Sequence, residues 1–214
     1  MAASAPLPSS RTHPWFKRIL FVLFGIMSAF VLYHTDRFLF VHRMRDWGYY
    51  YPVRWWIVIH ALAGATALIL GPFQFSLTLR RQRPALHRLL GYVYLSSIAV
   101  AAPIAIYLGF THATPAMALP TLMQSLLWLV TAAAAFLAAR HCNFEIHRQW
   151  MIRTYAVTMI FVFTRVFMAL PVLEHRGFAA LVPLLWILNI AALLITQLGL
   201  DWMAFSASCK AESK

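Results

Sequence analysis

The chain has 214 residues, 62% of them hydrophobic and 11% charged, with a mean hydropathy of +0.70, a balance that excludes a soluble domain with a wetted surface and places the chain in a membrane. The formal net charge of +12 does not point to nucleic acid, because basic residues interrupting long apolar runs match lipid phosphates and helix orientation instead. Cys142 and Cys209 lie far apart with no C-x-x-C spacing, which indicates neither a disulfide framework nor a tetrahedral cysteine site.

Residues 1–14, rich in Ala, Ser and Pro, predict a disordered tail before Trp15. Lys17 and Arg18 precede an apolar run as in a signal peptide, but no small-x-small cleavage site follows, so the expectation is an uncleaved first helix. A helix needs about 20 apolar residues to cross a hydrocarbon core of about 30 Å. Six segments approach or meet that length: roughly Ile19 to Tyr33, Trp55 to Leu79, Leu89 to Phe110, Ala118 to Ala139, Met151 to Pro171 and Phe178 to Met203. The first extends through Phe38 to Val41 if Asp36 and Arg37 lie at the interface. The predicted fold is an all-α polytopic membrane bundle of about six helices over residues 15–203, followed by a cytoplasmic tail at 204–214.

Orientation follows from the positive charges outside the apolar cores. Arg11, Lys17, Arg18, Arg80, Arg81, Arg83, Arg88, Arg140, Arg148, Lys210 and Lys214 fall on one side, and Arg37, Arg43, Arg45, Arg54 and Arg176 on the other. The excess predicts that both termini are cytoplasmic, in a bacterial inner membrane. Trp47, Tyr49, Tyr50, Tyr51, Trp55 and Trp56 crowd the outer edge before the second helix, where such rings anchor helices at the headgroups.

Polar residues inside the spans carry the functional reading. On the second helix His60, Gly64, Ala67, Gly71, Gln74 and Thr78 recur at steps of four and three and so share a face. The small residues admit a close neighbour, and the Gly71-Pro72 step frees the Leu68 carbonyl and predicts a kink. His60 lies about 7 to 8 Å below the outer end by helical rise. An ionisable group at that depth needs a partner or a cavity. On the third helix His87, Gly91 and Tyr94 share a face; His112, in the loop THATP, reads as a solvated histidine. On the fifth, His147, Met151, Thr154, Thr158 and Arg165 align, with His147 and Arg165 about five turns apart at opposite surfaces. Arg153 points away and is expected to snorkel to the interface. Gln124, Ser125, Thr131, Asn189 and Thr196 are expected to form interhelical hydrogen bonds.

No carboxylate falls mid-membrane, which lowers a cation- or proton-coupled transporter reading. The interior offers imidazole and guanidinium, which suit an anionic or metal-centred ligand. Haem meets both, with imidazole for its iron and arginine for its propionates. His87 and His147, on different helices at the same inner edge, are the candidate metal ligands. His60 belongs to an outer group with His34, His42, His112 or Arg165. A second arrangement, His141, Cys142, Glu145 and His147 as a cytoplasmic metal site, uses accepted ligand types in a spacing that matches no standard motif. No G-x-S-x-G, H-E-x-x-H, P-loop or dinucleotide fingerprint occurs, and no catalytic residue is assigned.

The motifs GPFQF (Gly71 to Phe75), HRLLGYVY (His87 to Tyr94) and HRQWMIRTYAVT (His147 to Thr158), in this order, resemble the bacterial predicted membrane proteins grouped as domain of unknown function 2306. The resemblance covers roughly Trp55 to Val166; the first and last helices share only its hydropathy. It implies a membrane protein, gives weight to His60, His87, Arg88, His147, Arg148, Trp150, Met151, Arg153 and Arg165, and implies no substrate. A second likeness is to dihaem b-type membrane cytochromes. Those carry two ligand histidines on each of two helices, whereas the second and fifth helices here carry one each, which speaks against two haems.

Three functions remain open on these residues. The first is a bundle that binds a b-type haem or other redox cofactor through His60, His87, His147, Arg165, Arg88, Arg148, Arg153, Gln74, Tyr94 and Trp150, and passes electrons between a quinone or other small carrier and a redox partner protein. The second is a non-enzymatic membrane protein that binds or carries an anionic lipid or small solute, or assists assembly. The third, an enzyme acting on lipid, lacks a visible Ser or Asp partner for its histidines.

Overall fold

The structure is a computed structural model that describes residues 22, 23, 25–31, 33 and 50–212. The N-terminal tail, His34, His42, Trp47, Tyr49, and the extension from Phe38 to Val41 lie outside the described residues. Positions 22–23, 25–31 and 33 are helical and form α1. A 3-10 turn at Tyr51–Val53 leads into α2 (Arg54–Gln74), followed by α3 (Leu77–Gln82), α4 (Pro84–Thr111), α5 (Pro115–Arg140), α6 (Phe144–Met168), α7 (Pro171–Glu174) and α8 (Phe178–Glu212). Among the described residues there is no strand, and five helices are long and apolar enough to cross a membrane. The described positions of the first predicted segment are helical as well.

Local chemistry sets the boundaries. Pro72 cannot donate to the Leu68 carbonyl, and α2 ends two residues later at Gln74, short of the predicted Leu79. The chain turns through bonds from Phe75 N to Pro72 O and from Ser76 N to Phe73 O, and the Ser76 hydroxyl then caps α3 by accepting from Leu79 N at 3.2 Å. Thr78 therefore leaves the face it was expected to share with His60. Pro84 and Pro115 occupy first-turn positions of α4 and α5, where a missing N–H costs nothing. Asn143 caps α6 from Ile146 N at 3.3 Å, so that helix starts before its apolar stretch, with Glu145, His147 and Arg148 in its first turns. Helix α8 continues past Met203 to Glu212.

Successive spans run antiparallel and pack as neighbours, α2 on α4, α4 on α5 and α5 on α6, while α6 also touches α2 and α8. Helix α6 is the most buried span. Ala67, Tyr94, Ile98, Ala132, Ala135 and Met151 form one core cluster. Val31 of α1 packs with Leu68, Met159 and Val162 in another. The remaining surface of the spans is itself apolar, with Leu62, Ile69, Val130, Leu194, Ile195 and Leu198 exposed. Such a surface suits lipid, where every backbone group must be bonded within its own helix.

The small residues of α2 divide in their use. A Cβ on Gly71 would overlap the ring of Tyr155, whereas Gly64 has nothing within 4 Å. The expected interhelical bonds of the isolated polar residues also differ from expectation. Thr131, Asn189 and Thr196 bond carbonyls three or four residues back on their own helices, because a backbone acceptor of the preceding turn is always within reach. Interhelical bonds come instead from Thr158, which accepts from Trp128 Nε1 at 2.9 Å and contacts the Tyr94 hydroxyl at 3.3 Å.

Candidate functional site

Antiparallel packing brings the end of α2, α3, the start of α4, the end of α5 and the start of α6 to one end of the bundle. There they border an open cavity of about 880 Å³ lined by Gln74, Phe75, Arg80, His87, Arg88, Gly91, Tyr92, Leu95, Phe136, Arg140, Phe144, Glu145, His147, Arg148 and Met151, among others. His87 and His147, predicted to meet on separate helices, both border it. So do Gln74, Arg88 and Arg148. The size lies within the range of small-ligand pockets, about 300 to 1,000 Å³.

The histidine geometry is specific. His147 Nδ1 lies 2.8 Å from the backbone oxygen of Ala135 on α5. A carbonyl only accepts, so Nδ1 carries the hydrogen and the lone pair of the neutral ring resides on Nε2. A backbone bond of this kind fixes tautomer and ring orientation in metal-ligating histidines. His87 Nδ1 and Gln74 Nε2 are buried and make no hydrogen bond among the described residues. Gly91 leaves room for the Gln74 amide, since a Cβ there would come within 3.2 Å of Oε1. Buried polar atoms without partners are uncommon, and two of them border one cavity.

The cavity is strongly basic. Arg80, Arg88, Arg140 and Arg148 line it against a single carboxylate, Glu145. Glu145 lies 3.6 Å from Arg148, with both side chains about half exposed, a pairing that solvent renders weak. Three arginines thus remain uncompensated within the lining. Among the described residues no three His, Cys, Asp or Glu side chains group as a set for a bare metal ion; His141 and Cys142 sit exposed in the turn before α6. His87 and His147 are the imidazoles at this cavity that could hold a metal carried by a macrocycle, and its arginines could pair with acidic substituents.

Other predicted residues lie elsewhere. Tyr94 is fully buried in the core beside Thr158. Arg153 donates to Gln197 Oε1 at 2.6 Å, and its guanidinium carbon lies 4.8 Å from the Trp150 ring. Gln197 Nε2 in turn donates to Asp201 at 2.8 Å. Arg153 thus ties α6 to α8, and neither it nor Trp150 lines the cavity. At the opposite end, His60 Nδ1 bonds the Ala101 carbonyl at 2.9 Å and borders a second cavity of about 490 Å³ together with His112. Arg165 does not line that cavity and lies over Phe161, 5.5 Å from the ring centre. The contributions that sequence reasoning missed are Arg80 and Arg140 as cavity walls, and the carbonyls of Ala135 and Ala101. The arginines were visible as charges flanking the spans; the carbonyls leave no mark in side-chain chemistry.

The chain matches the family described as predicted membrane protein (DUF2306) over residues 57–201. That stretch runs through α8 as far as Asp201, farther than the resemblance read from the three motifs, and takes in both cavities apart from Tyr50. No curated protein and no solved structure matches the chain.

Proposed function

The chain belongs to the DUF2306 family of predicted membrane proteins, and we propose that it binds a b-type haem in the arginine-rich cavity and takes part in electron transfer across the membrane with a quinone or a redox partner protein. The observation that supports this reading is the His147–Ala135 bond, which leaves Nε2 as an acceptor beside a cavity shared with His87. When bound, haem supplies one-electron chemistry at its iron. The protein's own residues would do the rest. His147 and His87 supply imidazole, Arg88 and Arg140 offer guanidinium to the propionates, and Leu95, Phe136 and Met151 keep water from the macrocycle. The arginine-rich end faces the cytoplasm of a bacterial inner membrane in this reading, by the excess of positive charge there.

Purification in mild detergent tests the proposal by absorption. A red protein with a Soret band that weakens in both His87→Ala and His147→Ala is expected. A preparation that stays colourless after haem reconstitution, with both variants indistinguishable from wild type, overturns it.

A second reading rests on the three uncompensated arginines: the cavity would hold an anionic lipid or small solute at headgroup depth. Native mass spectrometry would then retain an anionic lipid that Arg88→Ala or Arg140→Ala releases. A bound haem with no retained lipid decides against it.

A further inference from the structure

Three polar side chains meet on the outside of the bundle between α6 and α8. Arg153 donates from Nη2 to Gln197 Oε1 at 2.6 Å, and Gln197 Nε2 donates to Asp201 Oδ1 at 2.8 Å. The guanidinium and the carboxylate thus occupy opposite ends of one amide and form no ion pair with each other; among the described residues the ion pair is that of Arg148 with Glu145. Each charge has hydrogen-bonding capacity beyond the amide, further N–H groups on Arg153 and further lone pairs on Asp201. Gln197 and Asp201 are exposed and Arg153 is half-buried, so both charges reach the surface of the bundle.

That surface is the membrane boundary. Arg153 follows Arg148 along α6 by about 7.5 Å of helical rise, at the end of the bundle that carries the arginine-rich cavity. On α8, Trp202 adjoins Asp201 and is 70% exposed, as rings at the headgroup level are. Leu198 and Leu194, one and two turns deeper, are 67% and 57% exposed. Charges at the edge of the hydrocarbon need counter-charges. An anion there would pair with Arg153 and be repelled by Asp201, and a cation would meet the reverse. A group that carries both signs a few ångströms apart satisfies both. The acceptor oxygens of Asp201 call further for a cation with N–H donors, which a primary ammonium has and a trimethylated one lacks.

We propose that Arg153 and Asp201 hold the headgroup of an aminophospholipid of the phosphoethanolamine class, its phosphate on the guanidinium, its ammonium on the carboxylate and an acyl chain along Leu198 and Leu194. Gln197 sets the spacing between the two charges. Binding here is independent of what occupies the arginine-rich cavity, which neither Arg153 nor Asp201 lines.

The test is native mass spectrometry of lipid retained by the full chain, reconstituted in vesicles of equal parts phosphatidylethanolamine and phosphatidylcholine and extracted in mild detergent. The two lipids share a phosphate and a net charge, so the arginine-rich cavity has no charge difference on which to choose between them. The wild type is expected to retain phosphatidylethanolamine at least about tenfold over phosphatidylcholine, the scale of one hydrogen bond to a charged group. Asp201→Asn keeps an oxygen for Gln197 Nε2 and loses the charge, and its retention should fall to near parity at unchanged melting temperature. Arg153→Gln should lower the retention of both lipids, whereas Arg81→Gln, at an exposed arginine of the same end, should leave amount and ratio as they are. Equal retention of the two lipids by the wild type, a preference that survives Asp201→Asn, unchanged retention in Arg153→Gln, or a second copy of the chain held in place of lipid and released by Arg153→Gln would each overturn the proposal.

Discussion

Tyr155 of α6 lies so tightly against Gly71 of α2 that any side chain at position 71 would overlap its ring. The same ring meets Phe75 edge-on, with centroids 5.9 Å apart, and Phe75 lines the arginine-rich cavity. Gly71 thus seats a tyrosine that supports the cavity wall. Gly71→Ala should lower stability by about 1 to 3 kcal/mol, the usual cost of overpacking, read as a drop in melting temperature in detergent. In the Gly71→Ala/Tyr155→Leu double variant much of that loss should vanish, since contacting sites couple. Gly64→Ala, which meets open space, should change stability by less than about 0.5 kcal/mol. Additive effects at 71 and 155 would contradict the contact.

The two nitrogens of His147 have separable tasks. His147→Asn keeps an N–H near the Ala135 carbonyl and removes Nε2, whereas His147→Phe removes both. If Nε2 serves the ligand, both variants lose the Soret band equally. Only the phenylalanine variant should also lose the α5–α6 bond, at a cost of about 1 kcal/mol. Thermal unfolding beside the absorption spectrum distinguishes the two effects, and an asparagine variant that keeps its haem signal would remove His147 as a ligand.

Thr158 joins three helices through one oxygen. Its hydroxyl donates to the Thr154 carbonyl at 3.0 Å, so its lone pairs receive Trp128 Nε1–H and the Tyr94 hydroxyl hydrogen. Thr158→Val leaves both donors buried without an acceptor, about 1 to 3 kcal/mol each. Tyr94→Phe removes one donor and strands nothing, so its cost should stay near the average of about 0.6 kcal/mol for interhelical bonds in membranes. Denaturation of the two variants in the same detergent gives the comparison, and equal losses would show that Thr158 is not the hub.

The spans were legible because hydropathy and length alone select helices in a bilayer. That His87 and His147 come to one cavity was legible for a related reason: short connections force antiparallel neighbours, and both residues sit at one end of their helices. What could not be read was the rotation of each helix. Tyr94 follows His87 by two turns on a shared face, yet its ring turns into the core toward Thr158, while Tyr92 borders the cavity. Arg153 and Arg148 differ by five positions, and one bonds α8 while the other borders the cavity. Such choices depend on which neighbour fills which groove. The Pro72 break showed a similar limit: the proline was visible, but the Ser76 cap that starts a separate α3 depends on local backbone geometry.

Cys142 offers a direct reading of orientation. It sits exposed in the turn between α5 and α6, at the end of the bundle that carries Arg80, Arg88, Arg140 and Arg148, and its φ of 56° places it in the left-handed region of a tight turn. Positive charge in short loops is retained in the cytoplasm, so this thiol should be out of reach from outside the cell. In a Cys209→Ser background, a membrane-impermeant maleimide should label Cys142 in inverted vesicles and leave it unlabelled in intact spheroplasts. Arg176→Cys, placed in a chain that also carries Cys142→Ser, moves the only thiol to the exposed turn before α8 at the opposite end and should show the reverse pattern. Labelling of Cys142 in intact spheroplasts with protection of position 176 would invert the bundle, and would place the arginine-rich cavity on the outer face.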